Sequence, residues 1–244
     1  MSRLRVVTYN IHKGVRGLAF NRRLEIHDLA LAVEQFDADI VCLQEVRKLH
    51  RGEEKYFSRW PEMPQADFLA PDGYEAIYRT NAYTRDGEHG NAMLSRWPVL
   101  GHRHEDMSDH RFEQRGLLHS EVHIDGRTLH VVVVHLGLIG ASRVRQVEQL
   151  QRYLAREVPV DAPLIIAGDF NDWGRRIRRQ MEGLGLQCWE GGRHATFPAR
   201  FPLTQLDYVY ARGLRPLGVS VPQGRVWWRM SDHLPLLAEF EWLP

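Results

Sequence analysis

Carboxylates, histidines and asparagines recur at or just beyond the ends of short apolar runs in this 244-residue chain. Asn10 follows VVTY, Glu45 follows IVCLQ, His135 follows VVVV, and Asp169 and Asn171 follow LIIAG. Asp207 stands at the start of a short strand, and Asp232-His233 precede the last apolar run. A rigid sheet can aim such strand-end side chains into one crevice. A single buried polar residue at a strand end is ordinarily a structural group satisfied by its neighbours. Six such sites of one character are hard to explain as structure alone. Rich in oxygen ligands with His and Asn nearby, the set suits a hard divalent cation.

Other chemistries lack their signatures. Zinc would favour clustered His or Cys, as in HExxH or CxxC, and neither occurs. His102-x-His104 and His119-x-x-x-His123 fall in strand-like or loop segments without a third close ligand, and read as surface or cleft residues. There is no GxSxG elbow, no Walker P-loop and no GxGxxG turn.

The elements that must position these residues alternate along the chain. Strands are expected at 4–11, 38–46, 74–79, 91–95, 117–124, 128–135, 163–168, 205–210 and 234–242. The all-valine run before His135 places its strand centrally. Apolar residues at helical spacing predict helices over 22–36, 141–157 and 174–184. The polar stretch 47–72 reads as a surface excursion. Without repeats or a linker, residues 1–244 make one α/β domain, large enough to bury roughly 70–75% of its unfolded surface.

Composition narrows the partners. Lys+Arg 32 against Asp+Glu 31 leaves a net charge of +1, so phosphate recognition must be local rather than a broad basic face. Cys42 and Cys188 cannot form a disulfide framework, and Cys42 reads as a reduced, buried thiol. No apolar leader or run of membrane-spanning length is present, which predicts a soluble, cytoplasmic protein; a monomer is expected as well.

The motifs TYNIHKG at 8–14, LQEV at 43–46, GNAMLSR at 90–96, VVHLG at 133–137, GDFND at 168–172, TFP with LDYVY at 196–210 and SDHLP at 231–235 span nearly the whole chain. In this order and spacing the chain resembles the endonuclease/exonuclease/phosphatase superfamily, the DNase I-like metal-dependent phosphoesterases. The resemblance implies a four-layer α/β sandwich: two mixed β-sheets packed face to face with helices outside.

The resemblance also implies roles. Glu45 is the principal ligand of Mg²⁺ or Mn²⁺, with Asn10 beside it and Asp232 as a further metal-side carboxylate. Asp169 orients or deprotonates the attacking water, Asn171 holds a non-bridging phosphate oxygen, and His233 stands at the scissile phosphate, oriented by Asp207. His135 matches the second histidine of the nuclease and sphingomyelinase branches. Asp169 is assigned as general base, with His233 as the competing answer. Asn91 in GNAMLSR and His12 are added on the substrate side. His12 stands where abasic-site endonucleases place a carboxylate, which argues against a two-metal DNA-repair enzyme. The motifs are closer to sphingomyelinase-like and bacterial hydrolase branches.

Arg175, Arg176, Arg178 and Arg179 follow GDFND, and on a helix Arg175 would share a face with Arg178 or Arg179. They could form a basic rim or a solvated helix face. Trp60, Trp173, Trp227 and Trp228 could wall a cleft or anchor loops. The expected activity is metal-dependent hydrolysis of a phosphodiester in a phospholipid head group or a nucleic acid. A phosphomonoesterase or inositol-phosphate phosphatase, and a non-catalytic binding protein on the same fold, are the alternatives.

Overall fold

The structure, a computed structural model, describes residues 3–17, 21–174, 176–192 and 194–243. Strand β1 (Arg3–Asn10) runs into a tight turn at His12–Gly14 and a small ribbon, β2 (Val15–Arg16) with β3 (Arg23–Leu24). Helix α1 (Ile26–Gln35) returns the chain to β4 (Ile40–Val46), parallel to β1. Helices α2 (Arg51–Tyr56) and α3 (Gln65–Leu69) precede β5 (Glu75–Tyr83), β6 (Glu88–Ser95), β7 (Val99–Asp106), β8 (Gly116–Ile124) and β9 (Arg127–His135). Helix α4 (Gly140–Glu157) crosses to β10 (Leu164–Asp169), parallel to β9. Helix α5 (Ile177–Glu182), β11 (Asp207–Arg212), β12 (Leu214–Ser220), α6 (Trp227–Met230) and β13 (Leu236–Trp242) complete the chain.

Two large sheets result, ordered β12-β13-β1-β4-β6-β5 and β11-β10-β9-β8-β7. Alternation along the strands explains how they stack. Leu4, Val6, Ile40 and Cys42 of the first sheet meet Val131, Val133, Ile165 and Ala167 of the second in a shared core. The opposite faces are covered by helices. Val7, Tyr9 and Val41 pack on α1, α3 and α6, while Val132, Val134 and Ile166 pack on α4 and α5. This is the expected four-layer sandwich, with β9 central in its sheet.

Several expectations need correction. The stretch 47–72 is more than a surface excursion: Gln65, Ala66 and Leu69 of α3 are buried, and Ala66 and Leu69 join the first sheet's outer core. The helix expected over 22–36 starts at Ile26, because Arg23–Leu24 pairs with Val15–Arg16. The helix expected over 174–184 is the shorter Ile177–Glu182. Strands β7 and β12 were not anticipated; both lie at sheet edges and are only partly buried, so their apolar pattern is weak. Among the described residues no helix is long and apolar enough to cross a membrane.

Candidate active site

Both parallel pairs, β1–β4 and β9–β10, point their carboxyl ends to the same edge of the sandwich, and the predicted residues gather there. Asn10 ends β1 and is buried. On β4 the alternation would send Glu45 outward with Val41 and Leu43. The register shifts between Leu43 and Val46, and Glu45 adopts φ 57°. Such a bulge re-aims a side chain, and a non-glycine residue in this region of the backbone map is a strained placement that the surrounding sheet must enforce.

In the second sheet His135 and Asp169 end β9 and β10 side by side, and Asp207 lies opposite Asp169 at the start of β11. Gly168 permits this approach, since a Cβ there would meet the Val134 carbonyl oxygen at 1.9 Å. His233 arrives on the loop before β13. Its Nδ1 lies 2.8 Å from Asp207 Oδ2, which also accepts from Thr196 Oγ1 at 2.6 Å. Thr196 further fixes this loop by accepting the Leu234 N–H at its carbonyl oxygen. The far nitrogen of His233, Nε2, stands 3.6 Å from Asp169 Oδ2, and His135 Nε2 stands 3.5 Å from that same oxygen. Asn10 Nδ2 donates to it at 3.1 Å, while the Asn171 backbone N–H donates to Asp169 Oδ1 at 2.9 Å. Asn171 (φ 49°) spends one amide hydrogen on the Leu136 carbonyl.

The charges sort themselves by surroundings. Burial works against a charged His233, but Asp207 and Asp169 overcome it and raise the imidazole to about 10. His135 is pushed down to about 4 by burial and by Arg115. Burial raises the Asp169 carboxyl, against the pull of His233 and His135. At neutral pH the site therefore pairs an imidazolium with a neutral imidazole across one carboxylate oxygen.

At the mouth, His12 and Lys13 both sit at positive φ in the turn after β1. Gln65 secures that turn: its Nε2 donates to the Lys13 carbonyl at 2.9 Å, and its Oε1 accepts from Arg47 N–H at 2.8 Å. His12 Nδ1 lies 3.3 Å from Asp232 Oδ1, and that hydrogen bond raises the imidazole. Lys13 Nζ lies 2.9 Å from Glu45 Oε2. Burial alone would raise the Glu45 carboxyl, yet Lys13, followed by His135, holds it far below the usual range.

These residues fit a divalent cation. Glu45 Oε2 is buried and accepts no aligned hydrogen bond, and a lysine ammonium already occupies the cation's side of it. Asn10 and Asp232 add oxygen donors of the kind Mg²⁺ and Mn²⁺ prefer. Among the described residues Asp169, Asp207 and His233 form a carboxylate–histidine grouping here, with one ligand atom of each lying within 4.8 Å of the others. The hydrogen bond from His233 to Asp207 makes that group an aligned acid–histidine–acid line.

Other expectations fare differently. Asn91 is wholly buried, and its amide donates to the carbonyls of Gly116 and Val133, joining the two sheets instead of facing substrate. Of the arginines, Arg175 lies outside the described residues. Arg178 is turned away, paired with Glu182 at 2.7 Å and with Glu190. Arg176 and Arg179 line a groove of 570 Å³ with Arg143, Asp172 and Trp173. Trp173 is 51% exposed there and meets Phe197 edge-on, and Phe197 in turn lies against His233. Trp227 stacks on Phe36 and Trp60 on Phe57, so both serve packing. Trp228 Nε1 is buried without a partner among the described residues. Sequence reasoning missed Lys13, Arg143 and Thr196. Lys13 was the one legible in principle, as one of three lysines, three residues after Asn10.

Comparison with known proteins agrees with this geometry. The uncharacterized protein YbhP of Escherichia coli (strain K12) is 38% identical over 243 residues, covering 96% of this chain and 95% of YbhP. An endonuclease/exonuclease/phosphatase from Bacteroides vulgatus superposes with a TM-score of 0.77 at 17% identity, over 100% of both chains. D. rerio TDP2, solved with a single-strand DNA product, superposes with a TM-score of 0.68 at 18% identity, over 99% of this chain and 100% of its own. Residues 7–233 match the sequence profile of the Endonuclease/Exonuclease/phosphatase family, and the chain belongs to that family.

Proposed function

We propose that the protein hydrolyses phosphodiesters with the help of Mg²⁺ or Mn²⁺. The observation that carries this reading is the line Asp207–His233–Asp169, in which Asp207 holds the His233 ring at Nδ1 and one Asp169 oxygen faces two imidazoles. A cation held by Glu45, with Asn10 and Asp232, would neutralise negative charge on the phosphate oxygens.

The chain's own groups divide the remaining work. Asp207 accepts the Nδ1 proton of His233 and fixes the ring. His233 then presents Nε2–H, a charged donor for a phosphate oxygen. Because it is already protonated, it is a poor base. That leaves Asp169, whose carboxyl burial raises, to align an attacking water and take its proton. Asn10 and the Asn171 backbone hold the Asp169 carboxylate in one orientation. The second amide hydrogen of Asn171 is the donor for a non-bridging oxygen. Neutral His135 closes the opposite side.

The groove of Arg143, Arg176, Arg179 and exposed Trp173 supports a substrate with anionic groups beyond the scissile phosphate, a nucleic acid or a phospholipid head group. A panel of single-stranded DNA, plasmid DNA, anionic phospholipid vesicles, bis-p-nitrophenyl phosphate and p-nitrophenyl phosphate, each with and without Mg²⁺, tests the reading. Metal-dependent cleavage of the diesters supports it. Turnover of the monoester alone would replace it with a phosphatase.

A further inference from the structure

The outer face of the second sheet carries another constellation. His119 and Glu121 are two apart on β8 and so share a face, and the register sets Glu121 directly opposite His130 on β9. His119 and His130 were expected at the surface or in a cleft, or went unremarked; the structure buries both beneath α4. His119 Nε2 lies 2.9 Å from His130 Nδ1, while His119 Nδ1 lies 2.9 Å from the Tyr153 hydroxyl. One ligand atom from each of His119, Glu121 and His130 falls within 4.8 Å of the other two.

We propose that His119, Glu121 and His130 bind a divalent cation of the zinc class, separately from the phosphoesterase centre. Two imidazoles and a carboxylate are a zinc-type donor set, unlike the oxygen-rich set around Glu45. The hydroxyl of Tyr153 accepting Nδ1–H would leave the Nε2 lone pair of His119 aimed at the point His130 Nδ1 also faces, the outer hydrogen-bond pattern typical of metal-ligating histidines. Burial keeps both imidazoles neutral near pH 7, so no proton need leave them on binding.

The entrance lies on the Glu121 side. Arg103, half-exposed, pairs with Glu121 at 2.6 Å and also lies 3.7 Å from Glu157, which Arg156 engages at 2.6 Å through its other oxygen; a cation at Glu121 must displace Arg103 toward that shared carboxylate or solvent. His102 and His104 stay out of the cluster, facing Arg79 and Asn81. His130 precedes the active-site His135 by five residues on β9, roughly 16 Å of strand, and points to the opposite face. A cation here would tie β8 to β9 without touching the phosphate.

The test is a Co²⁺ titration of chelator-stripped protein, read by visible absorption, with Zn²⁺ displacement and the thermal unfolding midpoint as second readouts. The parent and Glu45→Ala, which lacks the oxygen-rich centre, should both show one equivalent of low-symmetry Co²⁺ bands that Zn²⁺ abolishes, and Zn²⁺ should raise the midpoint. Glu121→Gln and His130→Gln should weaken this binding at least tenfold while diesterase activity in Mg²⁺ stays at the parent level. Glu121 is partly exposed, so its variant keeps the test valid if His130→Gln fails to fold. No bands in Glu45→Ala, or an unchanged Zn²⁺ response in folded Glu121→Gln, would overturn the proposal and leave a buried His119–His130–Tyr153 hydrogen-bond relay.

Discussion

The ammonium of Lys13 lies 2.9 Å from Glu45 Oε2, so a tethered cation already rests on the carboxylate assigned to the metal. Both groups are partly buried, and a divalent ion must compete with or displace the lysine. Lys13→Gln should therefore lower the half-saturating Mn²⁺ concentration by roughly two- to fivefold, as expected for losing a partly screened ion pair. Calorimetric titration of Mn²⁺ into both proteins checks this. Unchanged affinity would show that Lys13 does not guard the site.

His233 makes stability depend on pH. Its folded value of about 10 lies above the ordinary 6.5, so the stabilisation from Asp207 and Asp169 is complete below the lower figure and lost as pH rises through the higher one. Denaturant unfolding of the metal-free protein should show falling stability from about pH 7 to pH 10. Asp207→Asn should cost about 3–5 kcal/mol at neutral pH and flatten that slope. Parallel slopes for the two proteins would mean that His233 is not held charged by this contact.

Roles within the line can be separated kinetically. Asp169→Ala and His233→Ala should each lower kcat by about 10²–10⁴-fold with little change in KM. Asp169→Ala should also abolish the acid limb of the kcat profile. Survival of that limb would hand the base role to another group.

The outline of the sandwich and the eight residues at its six strand-end positions were legible because two strong signals coincided. Runs such as VVVV and PLIIAG mark central strands, and a polar residue ending each must face the crevice. What escaped depended on three-dimensional detail. Edge strands β7 and β12 bury only a few side chains, Val99 on one and Leu214 and Val219 on the other, too few to pattern them. The β8–β9 register that sets His130 beside His119 has no local sequence signature. Lys13, though one of only three lysines and close to Asn10, reaches Glu45 through a turn at positive φ that the sequence does not announce. Asn91 was misplaced for a related reason: a motif asparagine that joins two sheets reads in sequence like one that meets substrate.

Asn91→Ala should accordingly act on the fold. Loss of its donors to Gly116 and Val133 should reduce stability by about 1–3 kcal/mol with KM unchanged. A raised KM at parental stability would restore the substrate role.

The arginine groove has its own contrast. Replacing Arg176 and Arg179 together with Ala should raise KM for a polyanionic substrate several-fold and flatten its salt dependence, leaving a small activated diester nearly untouched. Arg178→Ala, already paired with Glu182 and Glu190, should change neither. An equal loss on both substrates in the double variant would point to packing or direct catalysis.

Metal-assisted phosphodiester hydrolysis at Glu45 and its neighbours is decided by the turnover of bis-p-nitrophenyl phosphate by chelator-stripped protein. Turnover should be negligible after stripping and restored by Mg²⁺ or Mn²⁺, and Glu45→Ala should demand far more metal. Full activity after exhaustive chelation, or identical metal titrations for Glu45→Ala and the parent protein, would contradict it.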